Sequence, residues 1–419
     1  MHGDPLAALI LSLALILATA KIGGHLAARL GQPPVLGELG AGVVLGNLTL
    51  AGFSGLESLK TNLALDTLSQ LGAILLLFQV GLESTVAQML EVGRSSFLVA
   101  TLGVIGPFLL GWGVGAWLLP DTSIYVHIFL GATLTATSVG ITARVLKDLG
   151  RSQSDEARII LGAAVIDDVQ GLLILAVVTG IMTAANQGGV LSYGAIGLVL
   201  FEATVFLIGA LALAVYVSPR LFSLASKLEA SGVLLAFGLA FCFALAGLAS
   251  LIGLAPIVGA FAAGLVLEEL HDRHFVERGE RSLENLVEPI ASFMAPIFFV
   301  MMGVRTDLHA FAEPGVLGLA VVLTLAAIAG KQLCAFGVVG KGYDRLSIGI
   351  GMTPRGEVGL IFANIGLTLT VAGERILNPS IFSAVVIMVI ATTFITPPAL
   401  KWSFERFEKQ RLEAGASSL

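Results

Sequence analysis

Charged residues are scarce in this sequence of 419 residues, and their scarcity excludes an ordinary soluble protein. Asp, Glu, Lys and Arg together make up 12% of the chain, hydrophobic residues make up 56%, and the mean hydropathy is +0.94. Soluble domains carry about 25% charged residues. The apolar residues here occur in repeated runs that are long enough to cross hydrocarbon. The composition therefore predicts an all-helical membrane protein with many spans.

Cysteines, nucleotide-binding motifs and a basic N-terminal segment are also rare or missing. The two cysteines, Cys242 and Cys334, both fall in apolar runs, where we expect buried thiols and not a disulfide or a metal site. The sequence contains no G-x-x-x-x-G-K-[ST] run, which argues against a nucleotide-driven pump. Since no basic residue precedes the first apolar run, we expect a retained first span and not a cleaved signal peptide.

Apolar runs bounded by Gly, Pro or charged residues predict thirteen transmembrane helices. They cover residues 5–22, 33–52, 66–82, 95–119, 125–145, 157–182, 190–218, 230–250, 252–269, 289–304, 314–339, 345–370 and 380–403. Of the 23 Lys and Arg residues, eighteen then lie on one side of the membrane, three on the other and two inside spans. Because basic residues accumulate on the cytoplasmic side, we expect the N-terminus outside and the C-terminus inside.

Two spans contain residues that interrupt a helix near its middle. Span twelve has Pro354 flanked by the glycines Gly351 and Gly356 and by the charged residues Arg355 and Glu357. Span five has a run of hydroxyl residues flanked by glycines: Gly131, Thr133, Thr135, Thr137, Ser138 and Gly140. The two spans lie seven apart and so have opposite orientations, which predicts two inverted repeats of five helices, spans two to six and nine to thirteen. Interrupted helices at matching places in two halves indicate a transporter's binding site.

Asp167 and Asp168 stand together near the middle of span six. A carboxylate at that depth costs about 2.5–3.5 kcal/mol on insertion scales, so each must face a partner or a polar cavity. Adjacent helical residues point about 100° apart, so one aspartate can meet a neighbouring helix while the other faces a cavity. Two carboxylates that merely join helices are the simpler alternative, but one would suffice for that purpose.

Lys331, in span eleven, reaches a depth similar to that of Asp167, so we favour an ion pair between them. The alternative is that the lysine extends along its span to the membrane surface. Arg355 and Glu357 are two residues apart and do not share a face of a regular helix. In a broken helix they could compensate the charge of the two half-helix ends or handle ions directly, and both interpretations stand.

The hydroxyl run of span five has two interpretations as well. Thr137 and Ser138 offer hydroxyl and freed carbonyl oxygens as ligands for Na⁺, while ordinary hydrogen bonding between helices explains the same residues. Among the other acids, Glu202 is interpreted as a hydrogen-bonded packing residue, with proton handling as the alternative. Glu38 and Glu83 lie near inner span ends, where they could line an entrance or cap a helix.

Four segments in order resemble the monovalent cation:proton antiporters, and in particular the bacterial NapA-like Na⁺/H⁺ exchangers. They are "GATLTATSVGITARVLKDLG", "RIILGAAVIDDVQGLLIL", "AAIAGKQLCAFGVVG" and "GMTPRGEVGLIFANIG". The resemblance implies exchange of Na⁺ or Li⁺ for H⁺, with Asp168 as the site shared by cation and proton and Asp167 paired with Lys331. It also implies a homodimer in a bacterial inner membrane that serves pH homeostasis, with no enzyme activity, no cofactor and no nucleic-acid partner.

The same resemblance implies a division of the chain into domains. The expected parts are a dimerisation domain at 1–94 and 230–304, a core transport domain at 95–182 and 314–403, a linker helix at 190–218 and a cytoplasmic tail at 404–419. Relatives without charge movement carry Asn at the first aspartate, and this chain carries Asp, so we expect electrogenic exchange with two H⁺ per Na⁺. A K⁺/H⁺ antiporter on the same scaffold is the alternative, because oxygen ligands serve both cations.

Overall fold

The computed structural model describes most of the chain. It covers residues 5–53, 55–83, 91–187, 232–251, 256–269, 282–306, 315–371 and 374–416, with isolated positions at 201, 209, 216, 220, 228 and 308. Glu202 and nearly all of predicted span seven, 190–218, lie outside these residues.

The described residues are almost entirely helical, as their apolar composition predicts. The helices, numbered within this part of the chain, are α1 Pro5–Arg29, α2 Pro34–Gly46, α3 Ser58–Thr61, α4 Leu63–Leu82, α5 Gly93–Leu118, α6 Ile124–Thr135, α7 Val139–Asp148, α8 Asp155–Gln187, α9 Val233–Leu251, α10 Pro256–Glu269, α11 Leu283–Val304, α12 Val316–Gln332, α13 Arg345–Gly351, α14 Gly356–Thr368 and α15 Pro379–Ala416. Short 3₁₀ helices cover Leu48–Ala51 and Leu333–Gly337. Between α14 and α15, β1 Thr370–Val371 pairs antiparallel with β2 Glu374–Arg375.

Eight helical segments of the described chain are long and apolar enough to cross a membrane, and two shorter apolar helices accompany them. This confirms an all-helical membrane protein with several spans. Several local features depart from the sequence-based boundaries: α1 continues to Arg29, past the predicted end at residue 22, and α8 continues to Gln187, past residue 182. The hairpin of β1 and β2 was not predicted, and the last helix continues well past residue 403. It continues to Ala416 because the residues after Pro398 are good helix formers, joined by the Lys401–Glu405 pair at 3.6 Å.

The described chain divides into two compact units. Unit 1 comprises Met1–His25, Gly37–Glu91 and Leu198–Arg305, and unit 2 comprises Leu26–Leu36, Val92–Gly197 and Thr306–Leu419. In unit 1, α4 packs against α10 and α11, and glycines permit close helix contact. A methyl group on Gly42 would lie 2.1 Å from the carbonyl oxygen of Val300, and one on Gly303 would lie 2.3 Å from that of Leu39. Such small-residue contacts are typical of membrane helices.

Unit 2 is organised around α5, which packs against α6, α8 and α12. The contact between α5 and α12 is especially close, because a methyl group on Gly106 would lie 2.7 Å from the carbonyl oxygen of Gly330. A methyl group on Gly330 would in turn lie 2.7 Å from Cα of Pro107. Since Gly330 immediately precedes Lys331, this contact determines how deeply the lysine reaches into unit 2.

Candidate ion-binding site

The first element of the site is the interruption between α6 and α7. Helix α6 ends at Thr135, Ala136 and Ser138 have extended ψ angles of 141° and 102°, and α7 begins at Val139. The interruption exposes backbone groups that a continuous helix would pair internally. It falls within the hydroxyl run from which the sequence predicts a break. All three residues from Ala136 to Ser138 are buried.

The second element is the interruption between α13 and α14, at Met352–Arg355. Pro354 has no N–H to donate and disfavours helical geometry at Thr353, so the break occurs where the sequence predicts one. Gly356, the first residue of α14, has a φ of +45°. This conformation is strained for residues with a side chain, and glycine relieves the strain.

The two interruptions contact each other through backbone and hydroxyl groups. The N–H of Ser138 donates to the carbonyl oxygen of Pro354 at 2.7 Å, and Thr137 Oγ1 lies 3.5 Å from the carbonyl oxygen of Met352. A methyl group on Gly356 would lie 2.5 Å from Ser138 Oγ, so glycine is required there for space as well as for conformation. The two breaks are therefore in direct contact, joined by a backbone hydrogen bond.

Two further threonines form hydrogen bonds with backbone groups at the ends of the half-helices where the two breaks meet. Thr142 Oγ1, on α7, donates to the carbonyl oxygen of Gly351 at the end of α13, at 2.6 Å. Thr393 Oγ1, on α15, accepts the N–H of Gly356 at the start of α14, at 3.3 Å. Both threonines are buried. Neither was predicted from the sequence, although Thr142 lies one turn beyond the hydroxyl run and so carried a weak local signal. Thr393 had none.

The side chains of the two aspartates have different surroundings, as their adjacent positions on α8 require. Asp167 is 2% exposed, and its Oδ1 accepts a hydrogen bond from Lys331 Nζ at 3.1 Å; the lysine itself is 0% exposed. Asp168 is half-buried. The ammonium group of Lys331 packs beside Gly103 of α5, where an added methyl group would lie 3.5 Å from Nζ. The structure thus places Lys331 inside unit 2 and away from the surface.

Arg355 links the second interruption to the helix that carries the lysine. Its side chain is completely buried, with Nη1 donating to the carbonyl oxygen of Thr353 at 2.9 Å and Nη2 donating to that of Ala327 at 3.3 Å. Ala327 lies one helical turn before Lys331 on α12. The guanidinium therefore supplies positive charge to carbonyls freed by the break and ties the break to α12. Glu357 is the second residue of α14, and its side chain lies outside the described part of the structure.

The remaining predicted residues are placed elsewhere. Thr133 and Thr135 donate to the carbonyl oxygens of Phe129 and Ala132 within their own helix, at 2.9 and 2.7 Å, which is the simpler of the two interpretations for that part of the run. Glu38 is buried in unit 1, and Glu83 directly follows the last residue of α4. Neither belongs to unit 2, where the crossed interruptions lie.

Comparison with known proteins assigns the chain to a family. The family model for the transmembrane domain of sodium/hydrogen exchangers matches residues 13–405. The chain is 37% identical to the high-affinity Na⁺/H⁺ antiporter NhaS3 of Synechocystis, with 97% of this chain and 92% of the relative covered. It is 36% identical to the Na⁺/H⁺-K⁺ antiporter GerN of Bacillus cereus, with 95% and 96% covered.

A solved structure has the same fold. The sodium proton antiporter MjNhaP1 of Methanocaldococcus jannaschii superposes with a TM-score of 0.69 at 16% identity, covering 97% of this chain and 98% of that one. The family match spans nearly the whole sequence, including both interruptions, the aspartate pair and Lys331. The chain therefore belongs to the sodium/hydrogen exchanger family of membrane transporters, and it is not an enzyme.

Proposed function

We propose that the protein exchanges Na⁺ or Li⁺ for H⁺ across the membrane, with Asp168 as the site for which cation and proton compete. The observation that carries the proposal is the aspartate pair on α8, where Asp167 is neutralised by Lys331 and its neighbour is left to face a different direction. Helix α8 packs against α6 and α13, which end at the two interruptions, and against α7, which begins at the first of them. Family membership and the names of the relatives support the same activity.

Competition at one carboxylate explains the coupling of the two ions. An ionised Asp168 binds Na⁺ and a neutral one carries H⁺, so the site holds either ion but not both. Alternate exposure of the site to the two sides of the membrane then gives obligatory exchange. The freed carbonyl oxygens and the hydroxyl groups at Thr137 and Ser138 supply further oxygen ligands for a hard cation.

We infer that exchange moves net charge, with two H⁺ per Na⁺. Asp167 remains an ionisable acid beside Lys331, so its protonation and release in each cycle would add a second proton to the one carried at Asp168. Breaking the 3.1 Å contact with Lys331 is the event that would accompany this second protonation. A single titrating acid would give electroneutral exchange instead.

The finer architecture that we propose is that of the NapA-like exchangers. It has thirteen spans, two inverted repeats of five helices, a homodimer, an external N-terminus and a cytoplasmic C-terminus in a bacterial inner membrane. The division into unit 1 and unit 2 supports a dimerisation domain and a core transport domain, because the two interruptions, the aspartates and Lys331 all fall in unit 2. Unit 2 also takes in residues 26–36, which the sequence-based division assigns to the other domain.

The test is cation-dependent proton movement in everted membrane vesicles. A pH-sensitive dye is quenched when the vesicle lumen is acidified, and addition of Na⁺ or Li⁺ should restore its fluorescence in vesicles that contain the wild-type protein. Asp168→Asn should abolish the response. Asp155→Asn is the matched control, because it removes an exposed carboxylate from the first turn of the same helix and should leave the response unchanged. A wild-type protein without a cation response, or an active Asp168→Asn variant, would refute the proposal.

K⁺/H⁺ exchange is the second candidate. The relative GerN, which is 36% identical, is named an Na⁺/H⁺-K⁺ antiporter, and this name supports K⁺ as a candidate substrate here. Adding K⁺ in place of Na⁺ to the same vesicles discriminates the two. A response to K⁺ at lower concentration than to Na⁺ would favour the second candidate.

A further inference from the structure

Asp344 is a buried acid that the proposed exchange reaction does not use. It stands immediately before α13, the half-helix that runs from Arg345 to the interruption, and it is 2% exposed. Its Oδ1 accepts the N–H of Ser347 at 3.3 Å, and its Oδ2 accepts the Ser347 hydroxyl. These contacts make Asp344 the N-cap of α13. A helix of seven residues depends on such contacts, because it has few internal hydrogen bonds.

Asp344 also joins α13 to two other helices of unit 2. Ser403 Oγ of α15 donates to Asp344 Oδ2 at 3.3 Å, and Arg406 Nη2 of the same helix lies 3.6 Å from Oδ1. The N–H of Asp344 donates to Glu156 Oε1, in the first turn of α8, at 3.0 Å. We call these five residues the Asp344 cluster: Glu156, Asp344, Ser347, Ser403 and Arg406.

The far end of α15 is held in place by a second set of contacts. Arg151, between α7 and α8, pairs with Glu408, and its guanidinium lies 5.8 Å from the centre of the Phe404 ring. The part of α15 beyond residue 400 is therefore fixed to the connection between α7 and α8 and, through Asp344, to the start of α13.

The Asp344 cluster lies at the start of α13 and of α8, and the proposed site lies farther along both helices. Helix α13 is about 10 Å long at 1.5 Å per residue, and its last carbonyl, that of Gly351, accepts the Thr142 hydroxyl at the crossing. Glu156 precedes Asp167 by about three turns of α8. Helix α13 touches α8 along the way, because a methyl group on Gly351 would lie 2.5 Å from Cδ1 of Ile160. A shift of α13 at Asp344 therefore moves the carbonyls of the interruption relative to the aspartates.

We propose that Asp344 is a positioning residue for ion exchange, which holds α13 against α8 and α15 so that the carbonyls at the interruption stay in place for the cation. The proposal rests on the exchange function proposed above. The charge and the capping oxygens of Asp344 contribute separately. The capping oxygens fix the start of α13, and the negative charge attracts Arg406. Loss of the cap disturbs the site more than loss of the charge, since α13 leads directly to the interruption.

The test compares variants of the cluster in proteoliposomes, with the apparent KM for Na⁺ and the maximal rate measured separately. Asp344→Ala removes cap and charge and should raise the KM for Na⁺ about fivefold, the size expected for loss of a helix N-cap. Asp344→Asn keeps a good capping side chain and loses the charge, so its KM should lie close to the wild-type value, within about twofold. Arg406→Gln should match Asp344→Asn.

Glu405→Gln is the matched control, because it removes an exposed charge from α15 one residue before Arg406 and should change neither parameter. Backbone hydrogen exchange of residues 345–351 supplies a readout that does not depend on transport, and Asp344→Ala should lose protection there while Asp344→Asn keeps it. A folded Asp344→Ala protein with wild-type KM, or unchanged protection of α13, would overturn the inference. Wild-type protein without exchange would refute the proposed function instead, and the hydrogen-exchange comparison would still decide the role of the cap.

Discussion

Removal of the Lys331 charge should destabilise the protein more than removal of any exposed charge. Lys331 Nζ lies 3.1 Å from Asp167 Oδ1, and the two side chains are 0% and 2% exposed. Lys331→Met keeps most of the side-chain length and removes the ammonium group, which leaves Asp167 as an unpaired buried anion. Removing one partner of a buried ion pair lowers the free energy of unfolding by about 3–5 kcal/mol. The expected result is a melting temperature in detergent several degrees below that of the wild type.

A double variant separates the stranded charge from the loss of packing. In Asp167→Asn/Lys331→Met neither member of the pair keeps a charge, so most of the lost stability should return even though the double variant carries one more substitution. The control is Arg158→Met, which breaks the partly exposed pair with Asp155 at 2.9 Å and should cost less than about 1 kcal/mol.

Two outcomes would refute this reasoning. Equal melting temperatures for Lys331→Met and the wild type would mean that the ammonium group lies at the membrane surface and does not neutralise Asp167. A double variant that melts no higher than Lys331→Met would mean that the lysine contributes through packing beside Gly103 and not through its charge.

Three further predictions address transport. Asp168→Asn should abolish Na⁺/H⁺ exchange without lowering the melting temperature, and vesicles that recover at near wild-type rates would contradict the assignment. Gly356→Ala should lower both stability and exchange, because its φ is +45° and its methyl group would meet Ser138 Oγ at 2.5 Å. The control Gly318→Ala, at an exposed glycine of α12 with open space around it, should do neither. Exchange should move net positive charge inward during Na⁺ extrusion, and 100 mV is worth about 2.3 kcal/mol per charge, well over tenfold in the Na⁺ gradient sustained. In proteoliposomes without Na⁺ or H⁺ gradients, a potential set by valinomycin and a K⁺ gradient should therefore drive Na⁺ flux whose direction reverses with the sign of the potential. Flux that is indifferent to the potential would make Asp167 a purely structural partner of Lys331, and Asp167→Asn should then leave the exchange unchanged.

The local features of this protein could be predicted from the sequence because their causes are local. Long apolar runs form membrane helices wherever they occur, and Pro354 breaks its own helix because it lacks an N–H and constrains the residue before it. The hydroxyl run predicted the other break for the same kind of reason. Asp167 and Asp168 must point in different directions on any helix, since adjacent residues are about 100° apart.

The partners of these residues were decided by tertiary packing. The lysine bonded to Asp167 is 164 residues away, and the close contact of Gly106 with Gly330 on neighbouring helices brings Lys331 to that depth in unit 2. The same holds for Arg355, whose guanidinium reaches Ala327 on another helix, and for Thr393, whose position in the sequence carries no sign of its contact with Gly356. A residue's own span follows from its neighbours in the chain, but the helix opposite it depends on how all the helices pack, and that arrangement exists only in the folded protein.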